Sequence, residues 1–207
     1  MLRAAILALL PGLVTAAAVG DLHGVRATAP PPPPISAVQW RPQPGDLVFR
    51  ASEDVVGSGI RASSGDAAIY SHVGIVVTRG DRAFVLDVSP FGTGTVNFNE
   101  VDSFTRDPAT TDLLIVRPRA GLDHGRLNQA AERLAAAGIP FDYDFDMSDS
   151  RQLYCAELAY NLLRDAGVDL SSVAWIDMYV PLVGNRYMVT PDALARATTL
   201  ARVWRRT

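Results

Sequence analysis

Two apolar, β-branched runs, SHVGIVVT at residues 71–78 and RAFVLDVS at residues 82–89, flank the turn signal Arg79-Gly80-Asp81. Runs of this kind around a glycine-containing turn form a β-hairpin, and the turn fixes which side chains share a face. If Arg79 and Gly80 are the turn, Thr78 pairs with Asp81, Val76 with Ala83, Gly74 with Val85 and His72 with Asp87. Directly opposed residues of adjacent strands point the same way. The hairpin therefore predicts an imidazole and a carboxylate within reach of each other. A three-residue turn would send Asp87 to the opposite face.

The neighbouring segments fit one domain around that hairpin. PGDLVFR (44–50) reads as a turn and a short strand, and DLLIVRP (112–118) as a strand ended by proline. DHGRLNQAAERLAAAG reads as a helix with Leu127, Ala130, Ala131, Leu134 and Ala135 on one stripe and Gly138 as its stop. FDYDFDMSDS alternates aromatic and acidic residues, as a half-exposed extended segment would. A second helix follows, capped by Asp149 or Ser150, with Leu158, Leu162 and Ala166 along one face before Gly167. Thr190-Pro191 opens a third helix. Strands grouped together with helices at the edges predict an α+β domain on an antiparallel sheet.

The chain's beginning carries a different message. One arginine, an apolar run from Ala4 to Leu10, Pro11-Gly12 and then Ala16-Ala17-Ala18 have the layout of a secretory signal peptide over residues 1–18. The apolar run is shorter than the ~20 residues of a bilayer span, so no stable membrane span is expected after cleavage. Residues 19–36 contain the proline run Pro30–Pro34, an extended spacer, and 37–207 has the length of one domain. An exported protein, periplasmic or secreted, is expected. The net charge of −3, without any basic run, argues against nucleic acid as a partner.

In an exported chain a lone thiol is unusual, and Cys155 is the sole cysteine of the sequence. It falls near the first turn of its helix, where backbone N–H groups and the helix dipole favour a thiolate and an oxyanion. A nucleophilic thiolate needs a base, usually histidine. Of three histidines, His23 lies in the linker region and His124 at a polar helix start, whereas His72 opens a strand. The bland alternative stands beside this reading: a lone cysteine on an apolar helix face is more often buried and inert. Asp142, Asp144 and Asp146 resemble a calcium loop, but Met147 and Leu153 occupy the positions that need glycine and glutamate. No His or Cys pairs have zinc spacing, and no cofactor is expected.

PGDLVFR, YSHVGIVV, the LDVS strand, FDYDFDMSDSRQLYCAELAYN and VTPDAL together resemble successive motifs of the permuted papain-like cysteine amidases. These form the YiiX/YebB-like branch of the NlpC-type hydrolase superfamily, and the resemblance runs from about residue 42 to residue 200. The histidine strand precedes the cysteine helix, as circular permutation of a papain-like fold requires. The resemblance implies Cys155 as nucleophile, His72 as base and Asp87 as the orienting acid, a position where that family often has glutamate. Tyr154 and Tyr70, neighbours of Cys155 and His72 in these motifs, stand as candidate substrate contacts. Amide hydrolysis is the implied activity, on a peptide or other amide, with cell-wall peptides suggested by export. A lipid acyltransferase or thioesterase on the same fold and a non-catalytic binding module remain open. Nothing in the sequence speaks to the oligomeric state.

Overall fold

The structure, a computed structural model, describes residues 33–34, 39–52, 68–180 and 183–206. The expected signal segment lies outside the described residues, as does most of the proline-rich spacer. Six strands form an antiparallel sheet: β1 (Leu47–Ser52), β2 (His72–Arg79), β3 (Arg82–Asp87), β4 (Asn97–Glu100), β5 (Thr110–Pro118) and β8 (Leu200–Arg206), ordered β4-β3-β2-β1-β5-β8. A separate ribbon pairs β6 (Ile176–Val180) with β7 (Gly184–Met188). The helices are α1 (Val101–Thr105), α2 (His124–Ala136), α3 (Cys155–Asp165) and α4 (Pro191–Ala195). This is the α+β architecture expected from the strand and helix pattern.

Both sheet faces are covered, which is why β2 reads as a continuous apolar run. Leu47, Phe49, Val73, Ile75, Val77 and Leu86 pack against Leu127 of α2 and Leu158 and Leu162 of α3. Val48, Val76, Val85 and Ile115 face the other way and meet Trp40 and Phe104. Three buried aspartates fasten the chain around these layers. Asp46 accepts hydrogen bonds from Trp40 Nε1 at 2.8 Å and from Arg117 Nε at 2.6 Å. Asp142 accepts the backbone N–H groups of Asp144 and Asp146 at 2.8 and 2.6 Å. Asp192 of α4 accepts those of Ile69 and Tyr70 at 3.1 and 2.9 Å, holding the chain just before β2.

The hairpin differs from its expected register. Arg79 pairs with Arg82 and Val76 with Val85, so the turn residues are Gly80 and Asp81. Gly80 has φ of 58° at the first central position, the conformation a type II′ turn reserves for glycine. The pairing is displaced by two residues from the one expected. Because strand faces alternate with period two, an even displacement leaves Asp87 on the face of His72.

Two local expectations also change. The acidic-aromatic segment is folded into turns rather than extended, because the Asp142 carboxylate takes backbone N–H groups in the manner of an Asx turn. Phe145 there adopts φ of 52°. Neither Asp149 nor Ser150 caps α3. Its N-cap is Tyr154, which makes no side-chain cap hydrogen bond, and Asp149 instead binds Arg151 at 2.8 Å. Thr190 caps α4 and Pro191 is its first residue, as expected.

Gly74 is where the face of the sheet that carries His72 leaves no space. A Cβ there would collide with Val85 Cγ1 and stand 3.1 Å from Phe104 Cζ. Gly74→Ala is expected to destabilise the domain by about 1–3 kcal/mol, as overpacking does. Urea titration by circular dichroism checks this, with a lower midpoint at unchanged slope as the expected outcome.

Candidate active site

Cys155 is the first residue of α3 and is 6% exposed. The first intrahelical bond runs from Leu158 N–H to the Tyr154 carbonyl, so the N–H groups of Cys155, Ala156 and Glu157 lie outside the helical ladder. His72 is the first residue of β2, at the end of the sheet, and its ring lines the same cavity as Cys155, close enough to interact with it electrostatically. His72 Nε2 also lies 2.8 Å from Asp87 Oδ2. The nitrogen left for the thiol is therefore Nδ1. The structure brings Cys155, His72 and Asp87 to one place, with His72 bonded to Asp87 and sharing a cavity wall with Cys155.

Residues not singled out in the sequence complete this arrangement. Asp87, itself 4% exposed, receives Asn99 Nδ2 at 2.6 Å and Asn97 Nδ2 at 3.4 Å on Oδ1. Its two oxygens are thereby divided between imidazole and amides. The signal was present as the alternation Asn97-Phe98-Asn99 in VNFNE, which places both amides on one face of β4. Arg50 stands directly across from His72 in the β1–β2 pairing. Its guanidinium lies 4.1 Å from the Phe104 ring centroid and bonds Asp107 at 2.9 Å. The Phe104 ring is 5.7 Å from the imidazole, so one phenyl group supports both side chains.

Burial is the largest single effect on His72 and pulls its pKa down. The electrostatic interaction with Cys155 and the hydrogen bond to Asp87 outweigh both burial and the nearby Arg50, raising it to about 9. A histidine raised above its ordinary 6.5 contributes stability that is present below that value and lost as pH rises through the folded value. The imidazole is accordingly charged at neutral pH while the pair is intact.

Cys155 and His72 open into a cavity of about 150 Å³. Its lining is mixed: Arg50, Ser71 and Asp107 are polar, while Phe91, Phe141 and Phe145 are aromatic. Neither of the tyrosines expected to contact substrate lines it. Tyr154 is 2% exposed, with its hydroxyl donating to the Val189 carbonyl at 3.1 Å, and Tyr70 packs against Phe49. Burial in the core gives both rings a packing role in place of the expected contact. His124 opens α2 on the surface, as expected, and His23 lies outside the described residues. Among the described residues no three His, Cys, Asp or Glu side chains converge as metal ligands, and Asp142 commits both oxygens to backbone N–H groups.

A histidine strand ahead of a cysteine helix, both meeting at one cavity, is the order of a rearranged papain fold. The model of the permuted papain-like amidase enzymes, the YaeF/YiiX or C92 family, matches residues 41–204. The chain belongs to this family. It is a family of cysteine amidases. The protein YiiX of Escherichia coli (strain K12) is 27% identical over 135 residues, which is 64% of this chain and 62% of that relative. The match thus spans a little under two thirds of the relative's length. The crystal structure of the metalloprotein YiiX from Escherichia coli O157:H7 superimposes with a TM-score of 0.64 at 22% identity. It covers 81% of this chain and 99% of its own, a likeness that shows the shared fold.

The Cys155–His72 pairing makes a direct prediction. Histidine NMR titration should place the His72 pKa near 9 in the wild type. Cys155→Ala removes the strongest effect that raises it, so its midpoint is expected to fall by about one pH unit or more, tenfold or more in proton affinity.

Proposed function

We propose that this chain is an exported cysteine hydrolase that cleaves amide bonds, with cell-wall peptides as its substrate class. The observation that carries the reading is the His72 imidazole, hydrogen-bonded to Asp87 and facing Cys155 across the cavity that both line. The Cys155 thiolate attacks the amide carbonyl, forming a carbon–sulfur bond as the carbonyl π electrons move to oxygen. The unladdered N–H groups at the start of α3 stabilise that oxyanion. The imidazolium of His72 then gives its proton to the departing nitrogen as the carbon–nitrogen bond breaks, leaving a thioester. Water, deprotonated by neutral His72, attacks the thioester; carboxylic acid leaves and the thiolate–imidazolium pair returns. Asp87, fixed by Asn99 and Asn97, orients the ring through these proton transfers.

Export follows from the signal-like residues 1–18, and the compartment in turn suggests cell-wall peptides. The mixed lining of the cavity favours a polar amide over a long acyl chain, so it supports the amidase ahead of a lipid acyltransferase or thioesterase. The placement of Cys155 beside a base likewise favours an enzyme over a binding module. The discriminating experiment incubates purified protein separately with peptidoglycan fragments and with acyl lipids, using Cys155→Ala as the blank. Amine release from the first substrate alone is the expected result; acyl release from the second alone would replace the amidase with the lipid enzyme.

Two chemical probes follow. At pH 6, where an ordinary free thiol is almost wholly protonated, Cys155 is expected to react with iodoacetamide about tenfold or more faster than in His72→Ala. Equal rates would make the thiol a bystander. Asp87→Asn should lower kcat by about tenfold or more with little change in KM, because the amide still touches the ring but supports the imidazolium less well.

A further inference from the structure

The cavity beside Cys155 has two kinds of wall, and the strand order keeps them apart. Arg50 and Ser52 of β1, with Asp107 and Thr110 at the entry to β5, lie on one side of the His72 strand. Phe91, beyond the end of β3, lies on the other. The Ser52 and Ser71 hydroxyls stand 3.2 Å apart on the polar side. Arg50 is the permanent cation of that wall. It uses Nη1 for both of its acceptors, the Phe104 carbonyl at 3.3 Å and Asp107 Oδ2 at 2.9 Å. Among the described residues, Nε and Nη2 meet no acceptor, and the side chain keeps 17% exposure. Guanidinium and imidazole rest on the same Phe104 ring, 4.1 and 5.7 Å from its centre. After burial, Arg50 is the influence that pulls the His72 pKa down, so it opposes the charged imidazole instead of supporting it.

We propose that Arg50 is a specificity-determining residue that takes a free carboxylate next to the scissile amide, so that the substrate is the C-terminal residue of a peptide or an N-acylated amino acid. The proposal rests on the reading of Cys155 and His72 as the reacting pair. Nε and Nη2 form the side edge of the guanidinium fork, which matches a carboxylate with two parallel hydrogen bonds. In a peptide the carboxylate closest to an amide nitrogen is that of the terminal residue, one carbon away. With that group held on the β1 side of His72, the acyl half lies toward Phe91 and the aromatic lining. A bound carboxylate also neutralises the cation that works against the imidazolium. Asp107 already shares the guanidinium, and its charge repels a second carboxylate. It therefore limits the affinity, whereas in a purely structural ion pair the two partners would be equally necessary.

The test sets hippurate, with a benzoyl group for the aromatic wall and a carboxylate one carbon from the amide nitrogen, against hippuramide, which lacks the charge. Calorimetry measures binding to the full chain carrying Cys155→Ala, which prevents turnover. Hippurate is expected to bind about tenfold or more tightly than hippuramide. Adding Arg50→Gln should bring the two ligands to within about twofold of each other, and Arg50→Lys should retain part of the preference. Asp107→Asn keeps the acceptor for the Ala109 N–H, and it should tighten hippurate about threefold while leaving hippuramide unmoved. If circular dichroism shows that Arg50→Gln does not fold, the direction of the Asp107→Asn change decides. Equal binding of the two ligands, no hippurate binding, or a preference that survives a folded Arg50→Gln would overturn the proposal. So would a loss of hippurate affinity in Asp107→Asn, the mark of a structural pair. With Cys155 intact, hippurate should yield benzoate and glycine. Binding through Arg50 without that release would uphold the carboxylate site and sink the hydrolase reading alone.

Discussion

The antiparallel register between β2 and β3 is the constraint on which the site depends. It brings the carboxylate at the end of one strand to the imidazole at the start of the other, 2.8 Å apart. The register is held by a turn that only glycine enters readily and by apolar pairs such as Val76–Val85 on one face. β4 then contributes the two amides that fix the free oxygen of Asp87. A one-residue slip would send each side chain into the wrong one of two differently packed layers and separate acid from base together. Packing energy and site geometry are therefore specified by the same pairing.

Buried carboxyls recur as fasteners of irregular backbone. Asp46 ties the segment before β1 to Arg117, Asp142 folds the acidic turn, and Asp192 holds the entry to β2. Each takes at least one backbone N–H of an irregular segment, that of Gln43 in the case of Asp46, and each lies in the core where an unmet N–H is costly. Asp87 differs in having an imidazole as a partner. Its two amide contacts give the carboxylate the same kind of fixed orientation that the other aspartates give to loops.

What could be read from the sequence was what depends on local chemistry. The β2–β3 runs, the apolar stripe of α3, and the Thr190-Pro191 start of α4 each carry their own signal, and the cysteine helix with its histidine strand sufficed for the family. The turn was misplaced by one residue because Arg79-Gly80 and Gly80-Asp81 are equally plausible hairpin centres until φ at Gly80 is known. β4 and β8 escaped notice because NFNE is polar and half-buried and LARVWRR is interrupted by arginines. Arg50 was illegible for another reason. Its place at the site depends on a partner 57 residues away, Asp107, which no local pattern encodes.

The Asp192 clamp has a consequence in time as well as space. The N–H of Ile69, three residues ahead of His72, waits for a carboxylate 123 residues further along the chain. Cys155, too, comes late in the chain. During synthesis from the N-terminus the histidine strand can form early with its hairpin partner, but its entry is not fastened until the last helix has emerged. Cys155 and His72 are therefore brought together only when the domain is nearly whole.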